Sequence, residues 1–126
     1  MHALVLVLVP DGVADVAGYV EREVAQHRRV DEEPPRGRWD GYVIGGRWDG
    51  EAGVSRGAPF TVENNLCPVA MLTPDEGLLP QCYAIIVNGE WHDSTEFDSA
   101  VTWLRYCESV FRDNPEASVA VVDAHL

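Results

Sequence analysis

Four residues able to handle protons and anions stand at points a folded chain can gather. His2 is at one end, Asp123 and His125 are at the other, and Arg47 lies between them. Histidine is the side chain whose proton moves near neutral pH, and a carboxylate beside it decides which ring nitrogen carries that proton. A guanidinium offers parallel donors that match a phosphate or carboxylate. The set can therefore hold a small anion. It can also perform general acid-base work, with His125 or His2 transferring the proton and Asp123 orienting the histidine. Two histidines and a carboxylate equal the ligand count of a catalytic zinc. No H-x-x-x-H or H-E-x-x-H places them on one element, however, so no metal and no cofactor is assigned. The plainer alternative is a frayed His2, a solvated His125 and an ion pair between Asp123 and Arg47.

Arg47 belongs to the stretch "WDGYVIGGRWDG" at residues 39 to 50. Gly45 and Gly46 permit a bulge or a positive φ that turns Arg47 out of the strand direction. Trp39, Tyr42 and Trp48 supply aromatic walls on which a guanidinium or a ligand ring can stack. The expected ligand-binding set is thus Arg47, Trp48, Trp39 and Tyr42. The competing reading is a tryptophan-walled mini-core capping the sheet, with Arg47 paired to Asp40, Asp49 or Asp123. A second cluster, Glu90-Trp91-His92-Asp93, has acid, base and aromatic at adjacent positions. Strand alternation separates His92 from Trp91 and Asp93, so it reads as a solvated return strand.

The elements that must position these groups follow from periodicity. "ALVLVLV" at 3 to 9 is continuous and apolar, the pattern of a central strand covered on both faces. Val13, Val16, Val20 and Val24 recur at three- and four-residue spacing, predicting an amphipathic helix that runs to about Arg29, where "DEEPPRGR" breaks it. A short strand with a glycine-kinked end follows in "WDGYVIGGRW". Residues 49 to 60 read as loop, and 61 to 80 carry at most a short strand or turn. "CYAIIV", Asn88-Gly89 and "EWHD" form a hairpin. Thr95 and Asp98 resemble a capping box. Phe97, Val101, Leu104 and Phe111 then share a helical face to about Asp113, with Trp103, Tyr106 and Val110 beside it. "SVAVVDAHL" is a final strand.

That order predicts one α+β domain over residues 1–126, a ferredoxin-like split β-α-β sandwich with a long irregular middle segment. In that arrangement the first and third strands are central and parallel, and the second and fourth are antiparallel at the flanks. Both helices cover one face, leaving the other for the middle loop, water or a partner chain. An apolar bare face would favour a homodimer. One sheet edge would collect the start of the first strand, the end of the second, the start of the third and the end of the fourth. His2, Arg47, Trp48, Cys82, Asp123 and His125 would meet there.

Composition narrows the chemistry. The 126 residues carry 21 acidic against 9 basic side chains, a net charge of −12, and every cation is arginine. Without lysine there is no Schiff base, P-loop lysine or lysine base. The negative charge argues against a nucleic-acid backbone as the main partner, while leaving open an acidic surface that mimics nucleic acid. Cys67, Cys82 and Cys107 are widely spaced, with no C-x-x-C, and read as buried structural thiols. The apolar opening lacks a basic n-region and a cleavage site, so no signal peptide and no membrane span is expected, and a cytoplasmic protein is.

"WDGYVIGGRWDG", the strand ending in "NGEW" and the terminal "VVDAHL" resemble a family of small uncharacterised proteins of actinobacteria and bacteriophages. Its members carry W-D-x-Y-x-I-G-G-R-W, an Asx-Gly-x-Trp hairpin and a closing V-D-C-H-I. The resemblance covers roughly residues 39 to 50, 81 to 92 and 119 to 126, with the opening strand, and Ala124 replaces the family's cysteine. It implies context rather than chemistry: a phage-derived counter-defence or host-modulating role. Composition, motifs and resemblance together lead to an expected small acidic binding protein for an anionic ligand or a protein partner. The alternative is a phosphoester- or nucleotide-directed hydrolase or transferase using Arg47, Asp123 and His125.

Overall fold

The first strand, β1 (His2–Val9), sorts its side chains by type. Leu4, Leu6 and Leu8 point to one face and Val5, Val7 and Val9 to the other, and all six are buried. Strand alternation makes that sorting, and each face needs its own cover. A computed structural model describes residues 1–28, 37–48, 65–72 and 79–126. In it β1 lies inside an open, mixed six-stranded sheet with two α-helices.

The remaining elements are α1 (Val16–Ala25), β2 (Gly41–Ile44), β3 (Leu66–Pro68), β4 (Cys82–Val87), β5 (Glu90–Asp93), α2 (Ala100–Asp113) and β6 (Ser118–His125). The strand order is β2-β6-β1-β4-β5, with β3 also pairing to β6. β1 and β4 are parallel neighbours, as expected, and β6 runs antiparallel to β1. Two features differ from the expected split arrangement. β2 pairs with β6 rather than beside β4, whose outer neighbour is its own hairpin partner β5. The helices also take opposite faces instead of sharing one. Trp103, Cys107, Val110 and Phe111 of α2 pack on the leucine side with Val119 and Val121. Val20 and Val24 of α1 pack on the valine side with Ile86, Val122 and Ala124. The bare sheet face that suggested self-association is therefore covered.

Local signals account for most boundaries. Asp15 caps α1 through the amide of Gly18, and the helix ends at Ala25, short of the expected Arg29. Asn88 and Gly89 both take positive φ (50° and 82°), the primed turn that a two-residue hairpin requires. The capping box lies elsewhere than expected. Asp93 and Glu96 cap a 3₁₀ turn (Ser94–Glu96), and Ser99 with Thr102 caps α2. Phe97 is thereby left outside the helix, and Val101 is exposed. β3 gives form to part of the stretch assigned little structure; the loop expected over 49 to 60 lies outside the described residues. All three cysteines are free and buried, as expected. A hydrogen bond with the Cys107 sulfur, together with burial, pushes the Cys82 thiol well above its ordinary pKa.

The hairpin is tied to α1 by two side chains that pattern alone does not reveal. Buried Glu23 accepts from the Gly89 amide at 2.9 Å, from Tyr19 and from Gln26. His27 Nε2 lies 3.0 Å from the Gly89 carbonyl, to which it donates. Burial pushes the His27 pKa below its ordinary value, against the opposing effect of the Gly89 bond; Arg38 lowers it further and Glu23 raises it. A base with a depressed native pKa stabilises the fold above its unfolded value, and that stability is lost as pH falls through the native one. Urea midpoints should therefore drop from pH 7 to pH 5 more steeply in the wild type than in His27→Gln, which keeps the donor without the titration. Parallel pH profiles of the two proteins would contradict this account.

Candidate functional site

β6 brings the two ends of the chain together. His2 pairs with His125 and Leu4 with Asp123 across β1 and β6, and on the outer side Gly41 pairs with His125 and Ile44 with Val122. Alternation continues the leucine-face row of Val119 and Val121 into Asp123 and His125, while Ala124 faces α1. The start of β2, not its end, therefore lies beside His125. Arg47 nonetheless reaches Asp123, because the chain doubles back after Ile44.

The Gly45-Gly46 pair makes that reversal. Gly45 donates to the Val121 carbonyl at 2.8 Å, extending the β2 ladder by one bond. Both glycines then take positive φ (80° and 51°), and a 3₁₀ turn (Gly46–Trp48) folds over the leucine face. A Cβ on Gly46 would sit within 3.0 Å of three Asp123 side-chain atoms. The absence of a side chain is what allows the turn to seat on the carboxylate.

Asp123 is 7 % exposed and uses both oxygens. Oδ1 lies 2.8 Å from His2 Nδ1, and Oδ2 accepts from the Arg47 amide at 3.0 Å. A carboxylate only accepts, so His2 carries its proton on Nδ1 and, when neutral, presents a lone pair on Nε2. Asp123 was expected to orient a histidine or, on the plainer alternative, to pair with the Arg47 guanidinium. It holds His2, and it contacts Arg47 through the backbone. His125 has a different partner, Asp40, with Nδ1 at 2.6 Å from Oδ1. The two rings meet edge-on, centroids 5.7 Å apart at 87°. The Met1 amino nitrogen is 3.3 Å from His125 Nε2. The pairs differ in surroundings: Asp40 is 50 % exposed, so water competes for its bond far more than at Asp123.

The aromatic residues divide. Trp39 is buried among the valine-face residues, donates to the Val24 carbonyl at 2.8 Å, and meets half-buried Tyr42 edge-on. Burial, then the charge of Glu21, raises the Tyr42 phenol. Trp48 packs on the leucine-face core and donates to Gln81 at 3.0 Å. The two tryptophans thus lie on opposite faces of the sheet rather than walling one mini-core. Among the described residues neither ring stacks on Arg47, which is exposed. Cys82, expected near this edge, is sealed beneath Trp103, whose Nε1 donates to its carbonyl. Among the described residues no group of three or more histidine, cysteine or carboxylate side chains could hold a metal ion.

At the same end of the sheet, the valine face holds a cavity of about 250 Å³ lined by Gly37, Arg38, Tyr83, Trp91, Asp93, Thr95 and Leu126. A register shift between Leu4 and Val5 leaves Tyr83 as the extra residue of β4 and turns it to that side. Trp91 and Asp93, expected on a solvated strand, are buried. Burial raises the Asp93 pKa, but hydrogen bonds from Thr95 and Trp91 Nε1, with Arg38 nearby, bring it below the usual carboxylate value. Those bonds account for the carboxylate structurally, as the cap of the following turn. The sequence pattern gave no sign of this cavity, and it offered Asp40 only as a partner for Arg47, not for His125.

No protein-family model matches the chain, and neither a curated protein nor a solved structure matches it. Among the described residues, no helix is long and apolar enough to cross a membrane.

The seating of the Gly46 turn on Asp123 is directly testable. Gly46→Ala combines a strained positive φ with a clash against the carboxylate, and should cost about 1–3 kcal/mol by urea unfolding. Gly41→Ala, with negative φ and no atom within 4 Å of a new Cβ, should stay within about 0.5 kcal/mol of the wild type. Equal losses in the two variants would contradict the described turn.

Proposed function

We propose that this chain is a small acidic protein that binds a small anionic ligand at the β1–β6 end of its sheet. Arg47 supplies the fixed positive charge, and His2 and His125 supply further donors when protonated. What supports the reading is one observation: the backbone of Arg47 is pinned to Asp123, the carboxylate that also orients His2, while its side chain is exposed. Its guanidinium makes no hydrogen bond or ion pair with the described residues. An arginine offers a phosphate or carboxylate paired donors with little reorganisation.

The chain's own charge limits the ligand. With a net charge of −12, the protein repels extended polyanions, whereas a compact anion meets mainly the local positive field of the site. A nucleic-acid backbone is therefore a poor candidate, and a small phosphate or carboxylate compound a good one. Trp39 and Trp48 contribute by holding the β2 segment in place, each through its own core and hydrogen bond.

Inorganic phosphate is the simplest probe. Ligand that binds only the native state stabilises it by RT ln(1 + [L]/Kd), about 2.7 kcal/mol at a hundredfold excess over Kd. Phosphate should raise the melting temperature of the wild type above that in sodium chloride of equal ionic strength, and Arg47→Ala should abolish the difference. No difference from chloride in the wild type, or an undiminished response in the variant, would refute the binding site.

A further inference from the structure

The two histidine–carboxylate pairs are not equivalent, and their difference points beyond simple binding. A histidine serves as a general base when one ring nitrogen is anchored, its tautomer is fixed and the other nitrogen is open to the reacting group. His2 meets these conditions. Its Nδ1 is held at 2.8 Å by Asp123, and that carboxylate is itself held by the Arg47 amide at 3.0 Å and packed against Gly46. The imidazole remains 41 % exposed, and its Nε2 has no hydrogen-bond partner among the described residues. His125 is anchored only by the exposed Asp40, and its Nε2 lies against the Met1 amino group. Arg47 leaves the same turn that fixes Asp123, so one carboxylate joins the strand carrying the base to the segment carrying the guanidinium.

We infer that the site hydrolyses small phosphodiesters, with His2 as general base; this rests on the anion-binding reading given above. Water attacks phosphorus as its proton passes to His2 Nε2, a P–O bond forms to the water oxygen, and the ester P–O bond breaks. The products are a phosphomonoester and an alcohol. An acidic leaving group departs as its anion, releasing the His2 proton to solvent. A poorer leaving group takes its proton from solvent, because both ring nitrogens of His125 are engaged, Nδ1 by Asp40 and Nε2 by the Met1 amino group. Asp123 is a positioning residue: it sets the tautomer and aim of His2 and does not itself exchange the proton. One guanidinium in a chain of charge −12 matches the single charge of a diester better than the double charge of a monoester.

The test is release of p-nitrophenolate from bis-p-nitrophenyl phosphate in the presence of EDTA, with the phosphate-induced melting shift measured in parallel. The wild type should release product in proportion to its concentration, faster than from p-nitrophenyl phosphate, with a rate that rises with pH to a plateau. His2→Asn keeps a donor toward Asp123 but removes Nε2. It should lose at least about a hundredfold in rate, whereas its phosphate shift weakens without being abolished, because Arg47 carries the fixed charge. Phosphate stabilisation without diester turnover would overturn this inference and leave the binding reading standing; loss of both would sink the two together. Faster monoester turnover would overturn the substrate class. Should His2→Asn fail to fold by circular dichroism, the wild-type pH profile decides, and a flat one rejects His2 as the base.

Discussion

The structure turns on one buried carboxylate. Asp123 sits near the end of β6, where the leucine face gives out, and is 7 % exposed. A carboxylate at that depth destabilises the fold unless donors replace the water it has lost. The donors come from opposite sides. His2 reaches it from β1, and the Arg47 amide reaches it from the turn after β2. Satisfying Asp123 therefore joins three segments distant in sequence and sets the direction in which both His2 and Arg47 are presented.

The rest of the fold serves that junction. A central β1 of alternating leucine and valine requires cover on two faces, and the helices supply one each. With both faces taken, polar side chains collect where the layers end. At this end of the sheet, the leucine face carries the histidines and Asp123, and the valine face carries the cavity around Asp93. The two buried aspartates solve one problem differently. Asp93 accepts from Trp91 of its own strand and from Thr95 of the turn after it, so it acts as a cap. Asp123 draws its partners from far along the chain, so it acts as an organiser.

Much of this was legible in the residues. β1, the Asn88-Gly89 hairpin, the end of α2 at Asp113 and the final strand follow from apolar runs and turn chemistry, which act locally. The meeting of His2, Asp123 and His125 also followed, because antiparallel pairing of the first and last strands brings the termini together. What failed was decided at long range. Both helices have a single apolar stripe, and nothing in a stripe says which face of the sheet it will cover. β2 is four residues long, and its pairing with β6 rather than beside β4 leaves no local mark. The twin tryptophans look like neighbours in sequence, yet the turn at Gly45 and Gly46 sends Trp48 to the face opposite Trp39. The exchange of partners, with Asp40 taking His125 and Asp123 taking His2, depends on details of register that periodicity does not contain.

The central claim is that Asp123 fixes His2 in the Nδ1-protonated form with Nε2 open. Nitrogen-15 NMR of the histidine rings above their titration range reads this directly. The account predicts that neutral His2 bears its proton on Nδ1 in the wild type and loses that preference in Asp123→Ala. A wild-type His2 protonated on Nε2, or averaging freely between the two nitrogens, would contradict it.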